Sequence, residues 1–249
     1  MTAFLDVRGV SKRFGGLLAV SDASFTVAEG SITGLIGPNG AGKTTLFAIV
    51  SGFQSPTTGS VAWCGRDITG TKPHKLAEAG IARTFQIVQP FAGLSVRENI
   101  AVGAFLRHRR RADAIRVAER VAAQVGLGAE LDKPAAALTV SGRKRVELGK
   151  ALATEPKLLL LDEVLAGLNP SEVRDIVPVV RGIRDAGITV LMIEHVMQAV
   201  MNLCEAVHVL AQGRIIASGT PREVVAEPSV IEAYLGHGAA TRLRGPGHA

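Results

Sequence analysis

Cysteine is scarce in this chain of 249 residues: Cys64 and Cys204 are the two, far apart in sequence. Two distant thiols build neither a disulfide framework nor a thiolate metal site, and they fit a reducing compartment. Aromatic residues are scarce as well, at 4%, with one Trp and one Tyr. The charge is basic, 28 Lys and Arg against 22 Asp and Glu, net +6, with clusters at residues 107–111 (RHRRR) and at Arg242 and Arg244. Without aromatic rings between those charges there is no stacking platform, and no nucleic-acid partner is expected. A solvated helix face is the plainer account of the basic run, attraction to an anionic membrane surface the other. Long apolar runs are missing too. Stretches such as residues 188–193 (ITVLMI) are far too short to span a bilayer, so work at a membrane would need other chains to do the crossing. Asp6 and Arg8 stand where a secretory leader needs apolar residues, so no signal peptide is expected. No internal repeat and no low-complexity tract is present.

Hydrophobic residues make up 47% of the chain and charged residues 20%. That is enough for a sizeable core, in one large domain or two closely joined lobes. The first stretch reads as strands: residues 4–7, 19–27 and 60–63 carry apolar or alternating patterns, with Phe14 between the first two. A short helix opened by proline is predicted over 73–79, and a strand-to-loop segment over 83–89. From Ser95 to about Leu138 the pattern turns helical, the second helix ending on Gly126. Then α and β alternate again: a helix over 142–154, an unbroken apolar strand at 158–161, a helix around 172–185, a strand at 188–193 and a helix from Val196. Residues 207–210 and 214–217 flank Gly213 as a late hairpin. From Gly236 the sequence is rich in Gly, Arg and His and is expected to fray, so 237–249 reads as a flexible tail. The sum is an α/β core with a helical insertion between Gln86 and Leu158.

Four places carry chemistry. Residues 37–45 (GPNGAGKTT) fit G-x-x-x-x-G-K-[ST], with a strand-like run before and a helical pattern after. Phosphate oxygens must approach several backbone N–H groups at once, and Gly40 and Gly42 put no Cβ in the way. The cradle is Gly37, Pro38, Asn39, Gly40, Ala41, Gly42, Lys43, Thr44 and Thr45. Lys43 supplies charge to the phosphates, the Thr44 hydroxyl can ligate Mg²⁺, and the helix start faces the anion. A plain glycine turn would not demand the lysine and hydroxyl at those offsets. The second place is the apolar strand ending in Asp162, followed by Glu163. Such a strand delivers its acid to the carboxyl edge of a parallel sheet, where ligands sit. Asp162 suits Mg²⁺, and Glu163 can polarise a water aimed at the γ-phosphate. The third is His195, again just past a strand, expected at the γ-phosphate rather than in a structural role. Gln86, after an apolar stretch, is a candidate metal or water ligand.

In this order and spacing the set resembles the ATP-binding subunits of ABC transporters, from about Phe4 to Leu235. The resemblance implies the fold, a P-loop NTPase core with a parallel sheet, an N-terminal antiparallel β subdomain and a helical signature subdomain over about 95–157, all within one ABC ATPase domain of residues 1–236. Phe14 matches the residue that stacks on adenine, and residues 37–45 match Walker A. Gln86 matches the Q-loop glutamine, 158–162 match Walker B, Glu163 the catalytic carboxylate and His195 the switch histidine. The segments AGLNP (166–170), ARTFQ (82–86) and VIEAYLG (230–236) look more narrowly like importers of branched-chain amino acids; urea and amide uptake systems are similar. Implied with the family are ATP and Mg²⁺, a second ATP-binding subunit, two membrane-spanning permease subunits and a solute-binding protein. The place implied is the cytoplasmic face of the inner membrane, as a peripheral subunit. The helical insertion and residues 87–96 are where the permeases are expected to touch; ordinary core packing is the plainer account of that loop.

One departure stands out. The family's LSGGQ falls on 138–142, which reads LTVSG here. Thr139 keeps a hydroxyl, Val140 and Ser141 replace the glycines, and Gly142 replaces Gln. Added Cβ atoms would hold the backbone farther from the γ-phosphate bound by the other subunit. A heterodimer with a related, non-identical ATPase and two unequal sites is therefore expected. Val164 also stands where proline is common. Three rivals are weaker. A soluble ABC ATPase of DNA repair or translation usually carries more domains than fit here. A P-loop kinase would not need Glu163 and His195 to activate water. A regulatory subunit without activity would not keep the phosphate loop, Asp162 and Glu163.

Overall fold

The computed structural model describes residues 3–86 and 88–235, in two compact units. One gathers the residues up to Thr71 with those from Cys204 on, the other Lys72–Leu203. Ile87, Arg242, Arg244 and the expected tail over 237–249 lie outside the described residues, as does the last glycine of VIEAYLG.

The first unit opens with β1 (Leu5–Phe14) and β2 (Leu17–Val27), antiparallel, with β4 (Thr58–Trp63) on the other side of β1 and β5 (Arg66–Asp67) beyond it. Both opening strands run longer than their apolar patterns predict. Residues 8–14 are mostly polar, with Val10 the one buried side chain among them, yet they stay paired up to Phe14 opposite Leu17, through shifts of register after Val7, Val10 and Lys12. Backbone pairing, not side-chain burial, extends them. β3 (Ile32–Ile36) is buried along its whole length. It runs parallel to β9 (Ala206–Ala211), from Thr33 beside Ala206 to Ile36 beside Val209. β10 (Arg214–Gly219) returns antiparallel to β9 across Gly213. Helix α1 (Lys43–Val50) follows β3, and α8 (Pro221–Ala226) and α9 (Pro228–Leu235) close the unit.

The second unit holds α2 (Pro73–Ala79), β6 (Ile81–Arg83), α3 (Val96–Ala104), α4 (Arg111–Gln124), α5 (Val140–Leu152), β7 (Leu158–Asp162), α6 (Pro170–Asp185), β8 (Thr189–Ile193) and α7 (Met197–Leu203). β7 lies between β6 and β8 and is parallel to both. Its four leucines are fully buried, as a strand covered on both faces requires. The excursion from β6 to β7 is the helical insertion. Its helices pack tightly: a Cβ on Gly103 of α3 would come 2.1 Å from the Lys150 carbonyl of α5. Sequence chemistry sets the helix starts. Ser95 and Glu98 form a capping box on α3, Asn169 and Glu172 one on α6, and Pro170 fills the first helical position. α5 and α6 each begin two residues before their predicted starts, because Thr139 and Asn169 are good caps. Among the described residues no helix is long and apolar enough to cross a membrane.

Candidate functional site

The phosphate loop lies in the first unit, between buried β3 and α1. Two of its glycines are demanded by neighbours. A Cβ on Gly37 would fall 1.9 Å from the Leu210 carbonyl of β9, and one on Gly42 would fall 2.4 Å from the Ala19 carbonyl of β2. Gly42 sits at φ +105° as the cap of α1, and Gly40 at φ +77°. A Cβ on Gly40 would meet nothing within 4 Å, so that glycine serves conformation and leaves open room over the loop. No side chain caps α1 and no acid stands in its first turn. The positive end of the helix is thus undiluted by protein anions. Lys43 is buried, and its ammonium donates to the carbonyls of Gly37 (2.8 Å) and Pro38 (3.0 Å). Its charge is thereby held over the loop. Asn39, Gly40 and Thr44 are exposed. A cradle of this shape and charge fits a nucleotide's phosphates, and an exposed hydroxyl on the lysine's neighbour fits a hard cation beside them. Phe14, at the end of β1, is half-exposed with the Lys12 ammonium 5.1 Å from its ring centre.

The second unit brings three of the sequence-selected residues into contact. β7 ends on Asp162 beside Ile193 of β8, so Glu163 and the residues after Ile193 emerge side by side at one strand edge. Gln86 comes to the same edge from the segment after β6. Its amide donates to Glu163 Oε2 at 2.6 Å, and His195 Nε2 meets Glu163 Oε1. An ionised carboxylate only accepts, so in that contact Nε2 carries the proton. The carboxylate is therefore fixed at both oxygens by groups from two other chain segments. Glu163 itself stands at φ +51°, a left-handed conformation costing a non-glycine residue about 1–2 kcal/mol. Such outliers persist where the surroundings hold them, often at functional sites.

The structure adds three residues to this edge. Arg83, the last of β6, pairs with the buried Asp162 at 2.7 Å. Glu194, between β8 and His195, is buried, and its Oε1 accepts from the Leu165 amide at 2.9 Å. Burial pushes its carboxyl up to about 7, while the amides of Leu165 and His195 and the charge of Lys144 pull it back. Lys144 of α5 is buried, and its ammonium donates to the Glu163 carbonyl at 3.1 Å. Burial lowers its pKa, and the nearby Glu194 and Glu163 oppose that shift. Glu194 follows an apolar strand as Asp162 does, so the same pattern could have flagged it. Nothing in the sequence flags Lys144 or Arg83, because only folding brings them to the carboxylates.

The altered signature segment begins α5. Thr139 is the cap, its hydroxyl accepting from the Gly142 amide at 3.1 Å, Ser141 and Gly142 are buried, and Val140 is exposed.

A glycine-lined phosphate cradle between a buried strand and a helix, in a chain of parallel β and α segments, defines a P-loop nucleotide-binding protein. The chain belongs to the ABC transporter family: the family model so described matches residues 20–166. A second, described as branched-chain amino acid ATP-binding cassette transporter, matches residues 214–240. The high-affinity branched-chain amino acid transport ATP-binding protein BraF of Pseudomonas aeruginosa is 38% identical, covering 93% of this chain and 97% of that protein. The corresponding LivG of Salmonella typhimurium is 36% identical with the same coverage. The crystal structure of a nucleotide-free ATP-binding cassette from an ABC transporter superposes with TM-score 0.86 at 32% identity, covering 95% of this chain and 100% of that one. The fold is that of an ABC ATPase.

Proposed function

We propose that this chain is the ATP-hydrolysing subunit of an ABC importer for branched-chain amino acids. The observation that carries hydrolysis is the carboxylate of Glu163, bridged by the Gln86 amide and the His195 imidazole at the end of a buried strand. A carboxylate so oriented can polarise a water, and the two residues that fix it are placed to feel what occupies the site. The loop amides of residues 37–45 and the Lys43 ammonium bind the phosphates, and Phe14 stacks on the adenine. Thr44, Asp162 and Gln86 are oxygen donors suited to Mg²⁺, which would neutralise charge on the phosphates being cleaved. Arg83 holds the Asp162 carboxylate in place by pairing with it. The solute assignment rests on the second family match and on the names of the relatives.

In this reading two cassettes close head to tail over two nucleotides, with Thr139, Ser141 and Gly142 reaching the partner's γ-phosphate. ATP favours the closed pair, and hydrolysis releases it. Two permease subunits span the membrane, a solute-binding protein delivers the cargo, and this chain sits peripherally on the cytoplasmic face. The permeases dock on the second unit. There a cleft of about 520 Å³ is lined by Val88, Pro90, Ala92, Ala136 and Val140 together with polar Gln86, Gln89, Arg143 and Lys144, and Phe91 in the same loop is half-exposed. Exposed apolar residues around a concavity are what a partner chain covers.

The test is to recover the membrane complex with this chain, identify its members by mass spectrometry, and measure ATP turnover in proteoliposomes. Turnover stimulated by a binding protein loaded with leucine, isoleucine or valine supports the assignment. Stimulation by urea or amides alone would move the solute, and absence of turnover in the intact complex would remove the function.

A further inference from the structure

Glu163 reaches His195 and Gln86 from a backbone conformation that its residue type disfavours, so the turn that carries it must be held. Its amide donates to the Ile193 carbonyl at 3.0 Å, and its carbonyl accepts from the Ala166 amide at 3.1 Å. Those bonds belong to the backbone. Two side chains complete the set. Lys144, from α5, donates to the same Glu163 carbonyl at 3.1 Å, and Glu194, from the end of β8, accepts from the Leu165 amide at 2.9 Å. Both are buried, and they attract each other, yet neither is bonded to the Glu163 carboxylate, the phosphate loop residues or Asp162 in any contact described above.

We infer that Lys144 and Glu194 are positioning residues that clamp the turn 163–166 from two elements and keep the Glu163 carboxylate on its His195 and Gln86 partners. Lys144 lies five residues beyond Thr139 on the helix that the signature segment begins. The clamp therefore also ties the start of α5 to the turn that bears the carboxylate. The bland alternative is a pair of buried, opposite charges that merely fill space, and it predicts loss of stability with no selective effect on the turn.

The inference rests on the reading of Glu163 as the group that activates water, so one readout is taken without ATP. Amide hydrogen exchange is followed in the nucleotide-free full chain for peptides covering residues 163–168. Lys144→Met, Glu194→Leu and the double variant should each speed exchange there by about tenfold or more, with little change in α3 and α4. The double variant removes both charges together and guards against misfolding caused by one unpaired buried ion. In turnover assays the same variants should lose about tenfold or more in kcat while KM and the Kd for a fluorescent ATP analogue stay within about twofold. Lys144→Arg keeps a donor and Glu194→Gln keeps an acceptor, so both should return exchange and kcat to within about threefold of the parent. Exchange that is unchanged in the double variant, or uniformly faster over the whole unit with lost ATP binding, overturns the clamp. Failure of the Glu163 reading shows separately, as Glu163→Gln turning ATP over at the parental rate.

Discussion

Lys43, Asp162 and Glu163 are each held by other groups of the chain, and the holder decides what a substitution does. Under the proposed function, Glu163→Gln keeps the size of the side chain and its bond from one partner but removes the carboxylate proposed to polarise water. Nucleotide binding should persist while turnover falls by about 10²–10⁴-fold, as measured by phosphate release and by binding of a fluorescent ATP analogue. Lys43→Ala removes the ammonium that bridges the loop carbonyls, and binding itself should fail in the same assay. Glu194 offers a pH signature. Its pKa is raised from 4.5 to about 7 in the fold, with Lys144 and Glu163 facing it. The folded protein therefore holds the proton more tightly than the unfolded chain. This group's contribution is fully favourable below pH 4.5 and is lost as pH rises through about 7. The span is on the order of 3 kcal/mol at 1.36 kcal/mol per unit. Glu194→Gln should therefore gain on the parent as pH rises across that window in urea unfolding. A difference that does not vary with pH would contradict the assignment.

At the scale of elements, the strands and helices were largely legible, and their limits explain what was not. The unbroken LLLLD pattern announced a strand buried on both faces, and β7 is one. The mostly polar stretch RGVSKRF announced no strand, and yet β1 continues through it, because an antiparallel partner satisfies its backbone where few side chains are buried. Glu163 and His195 became candidates from their places after apolar strands in a chain that carries a phosphate loop, and Gln86 taken by itself meant nothing. Their meeting depends on β6, β7 and β8 lying side by side, which no local pattern states. Arg83 and Lys144 were invisible because their partners lie 79 and 19 residues away. β9 carries its own test. His208 is buried, its Nε2 bonded to the Thr26 carbonyl at 3.0 Å and its Nδ1 to Ser218 Oγ at 2.8 Å. A carbonyl only accepts, so Nε2 bears a proton. Burial lowers its pKa below the ordinary 6.5, the Thr26 bond opposing. Its contribution is present above 6.5 and is lost as pH falls through the lowered folded value. His208→Gln should flatten the acid limb of the unfolding curve, and an unchanged limb would assign that limb to other groups.

For the whole molecule the open question is whether the two ATP sites of an assembled transporter are equivalent. Under the proposed function, each cassette of the pair completes its partner's ATP site with its signature segment. In this chain the segment has lost both glycines, Val140 stands exposed at the first turn of α5, and the Thr139 hydroxyl is engaged in capping that turn. The Thr139 cap uses an oxygen lone pair and leaves the O–H to donate to a phosphate, so the difference rests on Val140 and Ser141, whose side chains stand where the family pattern has glycine. The site completed by this segment should therefore hold its γ-phosphate less well than the site containing Glu163 of this chain. In a complex with a non-identical cassette, Glu163→Gln here should stop most turnover. The matching substitution in the partner cassette should stop much less, with both read as phosphate release per complex. Val140→Gly with Ser141→Gly should narrow that gap by raising turnover at the weaker site. Equal losses from the two Glu→Gln substitutions would show that the altered segment reaches the phosphate as well as the common one, and that the added side chains turn away from it in the closed pair.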